Sequence, residues 1–195
     1  KDTGCTINLA LTAEKGQVFD GKYAMKFVYN ETSNGWAGAT ISKEVNWSDC
    51  DALQFYTIPD GKHQKVVIQL TANGKVYETY LNEYEAYAEN DGTVPIKVTI
   101  PFTDFVERDT QGNPAGGLAQ DKTSITSFGL WVNAIPGTDA IGDDGMVTGT
   151  IIYDVDFWNC LDFRHETLLC KGFSLGGFLL LFWIKGRQLR FNSDE

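Results

Sequence analysis

The stretch "VVIQLTANGKVYETYL", residues 66–81, carries the strongest structural signal in the chain. Two runs rich in Val, Ile, Thr and Tyr flank the pair Asn73–Gly74, and this pair is typical of the two-residue turn of a β-hairpin. Because alternate residues of an extended strand point to opposite sides, Val66, Ile68 and Leu70 share one side of the first run. The stretch therefore predicts two antiparallel strands with one plainly apolar side.

The same pattern recurs from residue 1 to about residue 158. Short runs rich in β-branched and aromatic residues alternate with turn sequences such as "PDGK", "ENDGT" and "GDDG". Many short strands of this kind are typical of an all-β sandwich built from antiparallel sheets. The predicted strands are 5–12, 22–30, 36–45, 51–58, 64–71, 75–82, 94–101, 125–134 and 148–158.

Composition narrows the classes of partner. The chain has 195 residues, 26 acids and 16 bases, for a formal net charge of −10. Such a chain should repel nucleic acid and anionic lipid, since both ligands require a basic surface. Charge does not exclude neutral polymers such as polysaccharides as partners. Aromatic residues make up 13% of the chain.

The cysteines suggest neither a zinc site nor a dense cystine framework. The four of them, at positions 5, 50, 160 and 170, form no CxxC pair, and only two histidines accompany them. We expect buried thiols that behave as small apolar side chains, with a disulfide as the open alternative.

Strand parity separates an apolar side from a mixed side in several strands. Leu53 and Phe55 share one side, as do Tyr77 and Leu81 in the second run of the hairpin. The opposite sides combine aromatic rings with amide and carboxylate groups, which suits neither a normal solvated face nor a covered one. If these strands lie in one sheet, the mixed side displays Gln54, Tyr56, Gln69, Glu78, Tyr80, Trp131 and Asn133.

Rings beside amides and carboxylates match the chemistry of a sugar. A pyranose has an apolar C–H face that stacks on Tyr or Trp, and its hydroxyls pair with Gln, Asn and Glu. Trp36 in "SNGWAG" is a further candidate contact, with folding over the sandwich end as the alternative. The competing interpretation is that the rings pair only with one another across strands.

Several motifs together resemble a known family. They include "DGKYAMKFVYN", "GWAGATISKEVNWSDCDALQFY", "VTIPFTDF", "SITSFGLWVNA" and "IIYDVDF". In their order and spacing they resemble the β-sandwich carbohydrate-binding modules of families 11 and 27, found on bacterial endoglucanases and mannanases. The resemblance implies a jelly roll of two antiparallel sheets that binds β-mannan or β-glucan on its concave face. It also implies a non-catalytic, extracellular module that is covalently attached to a glycoside hydrolase.

The resemblance further implies a structural calcium ion. In the family an acidic stretch before the first strand binds the ion together with an Asp of the last strand, which matches Asp154, with Asp156 as the alternate. No such acidic stretch precedes the first strand here, so we expect that the first N-terminal segment is missing and that the chain begins inside a larger polypeptide.

The sequence changes character after Asn159. The apolar segment "GFSLGGFLLLFWI", 172–184, is flanked by basic residues and is shorter than the ~20 residues that a membrane-spanning helix needs. We therefore divide the chain into a binding module, 1–158, and an atypical tail, 159–195. The tail is a packed segment, a membrane-associated segment or sequence foreign to the domain, and membrane contact is expected only if it is native.

Two other functions compete with non-catalytic binding. A glycoside hydrolase needs two carboxylates on either side of one bond, and Glu78 with Asp104 or Glu107 is the pair to consider. A structural cell-surface domain is the third possibility, although it has no need for rings on a polar face.

Overall fold

The computed structural model describes residues 1–19, 22–92, 94–118 and 122–154 with their side chains. Beyond residue 154 it describes only the backbone of four short strands. The helical elements are a 3₁₀ turn at Leu81–Glu83, the short helix α1 at Glu85–Ala88 and a 3₁₀ turn at Phe102–Asp104. The strands are β1 (Thr6–Thr12), β2 (Ala24–Thr32), β3 (Trp36–Val45), β4 (Ala52–Ile58), β5 (Lys65–Ala72), β6 (Lys75–Tyr80), β7 (Ile96–Pro101), β8 (Val106–Arg108), β9 (Pro114–Gly117), β10 (Ile125–Asn133), β11 (Met146–Tyr153), β12 (Asn159–Asp162), β13 (Thr167–Leu169), β14 (Leu181–Ile184) and β15 (Arg187–Arg190).

Two antiparallel sheets form the sandwich. One has the order β3-β10-β5-β6-β8-β9, and the other has the order β1-β2-β11-β4-β12-β13 with β7 also paired to β4. Both sheets supply fully buried side chains to a single core, for example Phe27 and Phe55 from one and Ile68 and Phe128 from the other. The predicted all-β sandwich of two antiparallel sheets is confirmed.

The predicted hairpin is formed by β5 and β6. Asn73 and Gly74 both have positive φ, 50° and 77°, as a type I′ turn requires of its two central residues. The turn sets a register in which Leu70 faces Tyr77 and Gln69 faces Glu78. Leu70 and Tyr77 are fully buried, so the predicted apolar side is the core side.

The sequence prediction misplaced some boundaries. β6 ends at Tyr80 rather than at residue 82, because the chain turns into the 3₁₀ turn and α1, which buries Tyr87. β8 and β9 were not predicted, since one has three residues and the other reads "PAGG", without β-branched side chains.

Cys50 is not the buried free thiol that is expected from the sequence. Cys50 is disulfide-bonded, so the thiol prediction is wrong at this position. Cys5 is a free, buried cysteine and therefore is not the partner of Cys50. The bond adds a covalent restraint at the start of β4, which begins two residues later.

The predicted boundary at residue 158 lies just before two strands that extend the larger sheet. The backbone of β12 pairs antiparallel with β4, and β13 pairs with β12. Side chains beyond residue 154, including the apolar segment 172–184, lie outside the described residues, so the division of the chain stays a prediction. Within the part that the structure describes, no helix has the length and apolar character needed to cross a membrane.

Candidate functional site

The outer face of the six-stranded sheet gathers most of the predicted contact residues. β3, β10, β5, β6 and β8 lie side by side, and alternate residues of each point away from the core. We call this surface the Trp131 face. It is formed by Trp36, Gly38, Lys65, Val67, Gln69, Glu78, Tyr80, Arg108, Gly129, Trp131 and Asn133.

Trp131 forms a flat platform because two glycines make room for it. It pairs with Gly38 across β3, and a Cβ added at Gly38 would overlap atoms of the indole ring. A Cβ at Gly129 would lie 2.7 Å from the indole Nε1. The ring therefore lies along the sheet over backbone atoms, which is the orientation that offers its flat face outward.

A second indole stands beside this platform. Trp36 is 39% exposed, and its ring centroid lies 5.5 Å from that of Trp131 at an interplanar angle of 59°. On the other side of Trp131, Val67 is the direct neighbour on β5 and is only 3% exposed. This half of the face is consequently aromatic and apolar.

The other half of the face is a charged network around Tyr80. The guanidinium Nη2 of Arg108 donates to the Tyr80 hydroxyl at 2.7 Å, and Gln69 Nε2 donates to Glu78 Oε1 at 2.9 Å. Arg108 also forms an ion pair with Glu78 at 3.4 Å, and Lys65 Nζ lies 3.9 Å from the Tyr80 ring centroid. Tyr80 therefore offers a sugar a positioned hydroxyl, while stacking on its ring requires Lys65 to move.

Gln54 and Tyr56 do not belong to this face, which corrects the prediction that they share it. Both lie on β4 in the seven-stranded sheet. Gln54 is 8% exposed and donates through Nε2 to Thr99 Oγ1 at 2.8 Å. Tyr56 stacks on Phe19 with ring centroids 5.2 Å apart. Strand parity states which side of a strand a residue occupies, but it does not state which sheet the strand joins.

Sequence reasoning missed five contributors to the face, namely Val67, two charged residues and two glycines. Lys65 precedes the periodic run of β5, and Arg108 lies on the unpredicted strand β8. Gly38 and Gly129 carried a usable signal, because a glycine inside a strand marks a close approach of other atoms. Each glycine is two residues from a tryptophan in the sequence, Trp36 and Trp131 respectively.

The three carboxylates considered for hydrolysis each have their own partners in the structure. Glu78 pairs in register with Val106, whereas Glu107 is opposite the core-facing Tyr77 and therefore starts from the other side of the sheet. Glu107 forms an ion pair with Lys75 at 3.1 Å. Asp104 accepts a hydrogen bond from Tyr84 at 2.8 Å. Each acid is thus engaged with a different partner.

Asp154 is fully buried at the end of β11. Its Oδ2 accepts a hydrogen bond from the backbone N–H of Phe19 at 3.0 Å. Calcium needs six to eight oxygen ligands, and within the described residues no group of three metal-binding side chains occurs. Those residues alone therefore do not complete a calcium site, and the alternate ligand, Asp156, lies outside them.

A buried carboxyl group lies beneath one end of the Trp131 face. Glu31 on β2 is fully buried. Its pKa is raised to about 8: burial is the largest cause and the charge of Asp60 adds to it, whereas polar backbone groups at Ala37 and Ala134 oppose the shift. These two alanines directly follow Trp36 and Asn133 in the sequence, so the carboxyl group of Glu31 lies near the end of the face that these residues form.

The fold is thus a sandwich of two antiparallel sheets, and one outer face combines the exposed indole of Trp36 with the half-buried indole of Trp131 and several polar groups. The family model described as "Carbohydrate binding domain (family 11)" matches residues 2–135. The chain therefore belongs to this family and is a carbohydrate-binding domain rather than an enzyme. A search of curated protein sequences finds no match to it.

Solved structures of low sequence identity share the fold. A family 11 carbohydrate-binding module from Clostridium thermocellum, in complex with a β-1,3-1,4-mixed-linked tetrasaccharide, matches with TM-score 0.55 and 17% identity over 78% of this chain and 82% of that chain. The family 11 module of the cellulosomal cellulase Lic26A-Cel5E of the same organism matches with TM-score 0.54, 15% identity and coverage of 78% and 81%. An exo-β-agarase matches with TM-score 0.51 and 13% identity over 78% of this chain and 23% of its own.

Proposed function

We propose that this domain binds a β-1,3-1,4-linked glucan on the Trp131 face. The observation that carries the proposal is the indole of Trp131, which lies flat over Gly38 and Gly129 with Trp36 5.5 Å away. A family 11 module with the same fold has been solved with a mixed-linked tetrasaccharide, and this supports the choice of ligand.

The two halves of the face suit the two parts of a sugar. The apolar C–H face of a glucose unit stacks on Trp131, since stacking on a ring held flat costs little side-chain entropy. Hydroxyls of the neighbouring unit meet the network of Gln69, Glu78 and Tyr80, whose groups are already held in place by mutual hydrogen bonds. Prearranged donors and acceptors reduce the ordering cost of binding.

The proposal includes an attached glycoside hydrolase that the domain holds on its substrate outside the cell. This part is supported by the agarase, in which the same fold accounts for 23% of a longer chain. β-Mannan is the competing ligand. We also propose that Asp154 contributes to a calcium site. The domain should then melt at a lower temperature in EDTA than in calcium.

The experiment is calorimetric titration with soluble mixed-linkage β-glucan and, separately, with β-mannan, accompanied by an assay for new reducing ends. We expect binding of the β-glucan without release of sugar. Trp131→Ala should weaken binding at least about tenfold, as the loss of a stacking contact worth roughly 1.4 kcal/mol implies. Tyr56→Ala is the matched control on the other sheet.

Unchanged affinity in Trp131→Ala, with the fold intact by circular dichroism, would place the ligand elsewhere. Tight binding of mannan with none of glucan would contradict the ligand assignment but keep the face.

A further inference from the structure

A second concave site lies on the opposite side of the sandwich. It is a cleft of about 570 Å³ on the outer face of the seven-stranded sheet, within the range of small-molecule sites. It shares no residue with the Trp131 face. The cleft is lined by Gln17, Ile58, Pro59, Asp60, Lys62, Gly92, Thr148, Gly149, Thr150 and Ile152.

The floor of the cleft is formed by two adjacent strands. Thr148, Thr150 and Ile152 alternate along β11 and point outward, and Ile152 pairs with Ile58 on β4. Ile152 is 7% exposed and Ile58 is half-buried. The floor therefore offers an apolar strip bordered by two threonine hydroxyls.

One wall is the segment before β2, and it is held firmly. The Thr12 hydroxyl donates to Gln17 Oε1 at 2.9 Å, and Phe19 is fixed by its backbone bond to Asp154 and its stack on Tyr56. Because the carbonyl oxygen of Gln17 is already used, its amide NH₂ group is the part left to donate to a ligand.

The other wall is the turn after β4. Asp60 Oδ1 accepts from the backbone N–H of Lys62 at 3.0 Å, and Asp60 Oδ2 accepts from the Tyr29 hydroxyl at 2.5 Å. Gly92 packs against this turn so closely that an added Cβ would lie 2.8 Å from the carbonyl carbon of Asp60. Among the residues that the structure describes, the lining carries one ammonium, that of Lys62, and one carboxylate, that of Asp60, so the charges of this part balance.

We infer that this cleft is a second carbohydrate site, which takes a short neutral sugar such as a chain end or a side-branch residue. The apolar strip of Ile58 and Ile152 matches the C–H face of a pyranose. The Gln17 amide, the Lys62 ammonium and the Thr150 hydroxyl match its oxygens. The balanced charge favours a neutral ring over a uronate or an amino sugar.

The test uses the ¹⁵N-labelled Trp131→Ala variant, so that binding on the main face does not mask the cleft. Titration with cellobiose should shift the amide signals of Gln17, Lys62 and Thr150 in a saturable manner. Thr150→Tyr, added to that variant, should fill the cleft and weaken this binding at least about fivefold, since a blocked pocket excludes the ring. Asn8→Tyr is the matched control, because Asn8 lies on the same outer face, with one strand between it and Thr150.

Three results would overturn the inference: no saturable shift at the cleft, shifts that survive Thr150→Tyr, or tighter binding of glucuronate or glucosamine than of glucose. If the amide signals of the cleft do not shift while the wild-type domain still binds β-glucan through Trp131, the second site is refuted and the proposed function stands. If those signals shift with cellobiose while the wild-type domain fails to bind β-glucan, the proposed function is refuted and the second site is supported.

Discussion

Trp131 and Tyr56 occupy equivalent positions on opposite faces of the sandwich. Each points outward from a strand whose alternate residues build the core. Trp131 lies flat over two glycines beside the exposed Trp36, whereas Tyr56 is stacked by Phe19 at 5.2 Å and approached by Lys97 at 5.5 Å. The segments that cross a sheet, rather than the sheet itself, therefore control whether an outward ring can meet a ligand.

The largest expected effect concerns Glu31, whose side chain is buried in the core between the two sheets. Its pKa is raised from 4.5 to about 8 in the folded state, so folding retains its proton. The unfolding free energy should therefore fall as pH rises from about 4.5 to 8, by up to a few kcal/mol. Urea denaturation across this range measures the fall, and Glu31→Gln should flatten it.

The next effect concerns the glycine beneath the platform. Gly38→Ala should lower affinity for β-glucan at least about tenfold, because the new methyl group overlaps the indole and forces Trp131 off the sheet. Calorimetric titration measures the loss, and the intrinsic fluorescence of the protein should report the moved ring. Gly117→Ala in β9 is the control, since nothing lies within 4 Å of its added Cβ and its backbone does not have the positive φ that disfavours alanine. Undiminished affinity would mean that a flat Trp131 is not required.

A smaller effect is expected for Tyr56, the outward ring on the seven-stranded sheet that Phe19 covers. Tyr56→Ala should leave glucan affinity within about twofold while lowering the unfolding free energy by about 1–2 kcal/mol, since the stack on Phe19 is lost. Parallel titration and urea denaturation separate the two outcomes. A large drop in affinity with unchanged stability would show that Tyr56 is a contact after all.

The smallest effect distinguishes the two halves of the Trp131 face. Tyr80→Phe removes the hydroxyl that accepts from Arg108 but keeps the ring under Lys65. We expect affinity to fall by less than about threefold, as for one hydrogen bond near solvent. Tyr80→Ala should lose more, because the Arg108 and Lys65 side chains then lack their shared support. Equal effects of the two variants would mean that only the hydroxyl matters.

Much of the architecture could be predicted because it depends on local rules. The turn at Asn73–Gly74 and the core side of β5 and β6 follow from turn chemistry and a period of two residues. The grouping of Gln69, Glu78 and Tyr80 follows too, since the hairpin sets their register. The prediction that Trp131 shares this face is also correct, because β10 pairs with β5, although strand parity alone did not specify that pairing.

The failures share one origin. The prediction correctly placed Gln54 and Tyr56 on the outward side of β4, but it assigned β4 to the wrong sheet. β4 pairs with β7, β11 and β12, which are far from it in the sequence. Arg108 escaped notice because a three-residue strand carries too little periodicity to be recognised. Local patterns contain no information about which distant strand becomes the neighbour.

The amino-acid order alone was enough to specify an all-β sandwich with rings and polar groups at some outward strand positions, because alternation and turn residues act over a few neighbours. It was not enough to specify which outward residues stand together. Strand order placed Lys65 and Arg108 around Tyr80, and the segment carrying Phe19 covered Tyr56. Strand pairing and loop packing depend on contacts between residues far apart in the chain, and the energies of those contacts are not visible in any single stretch.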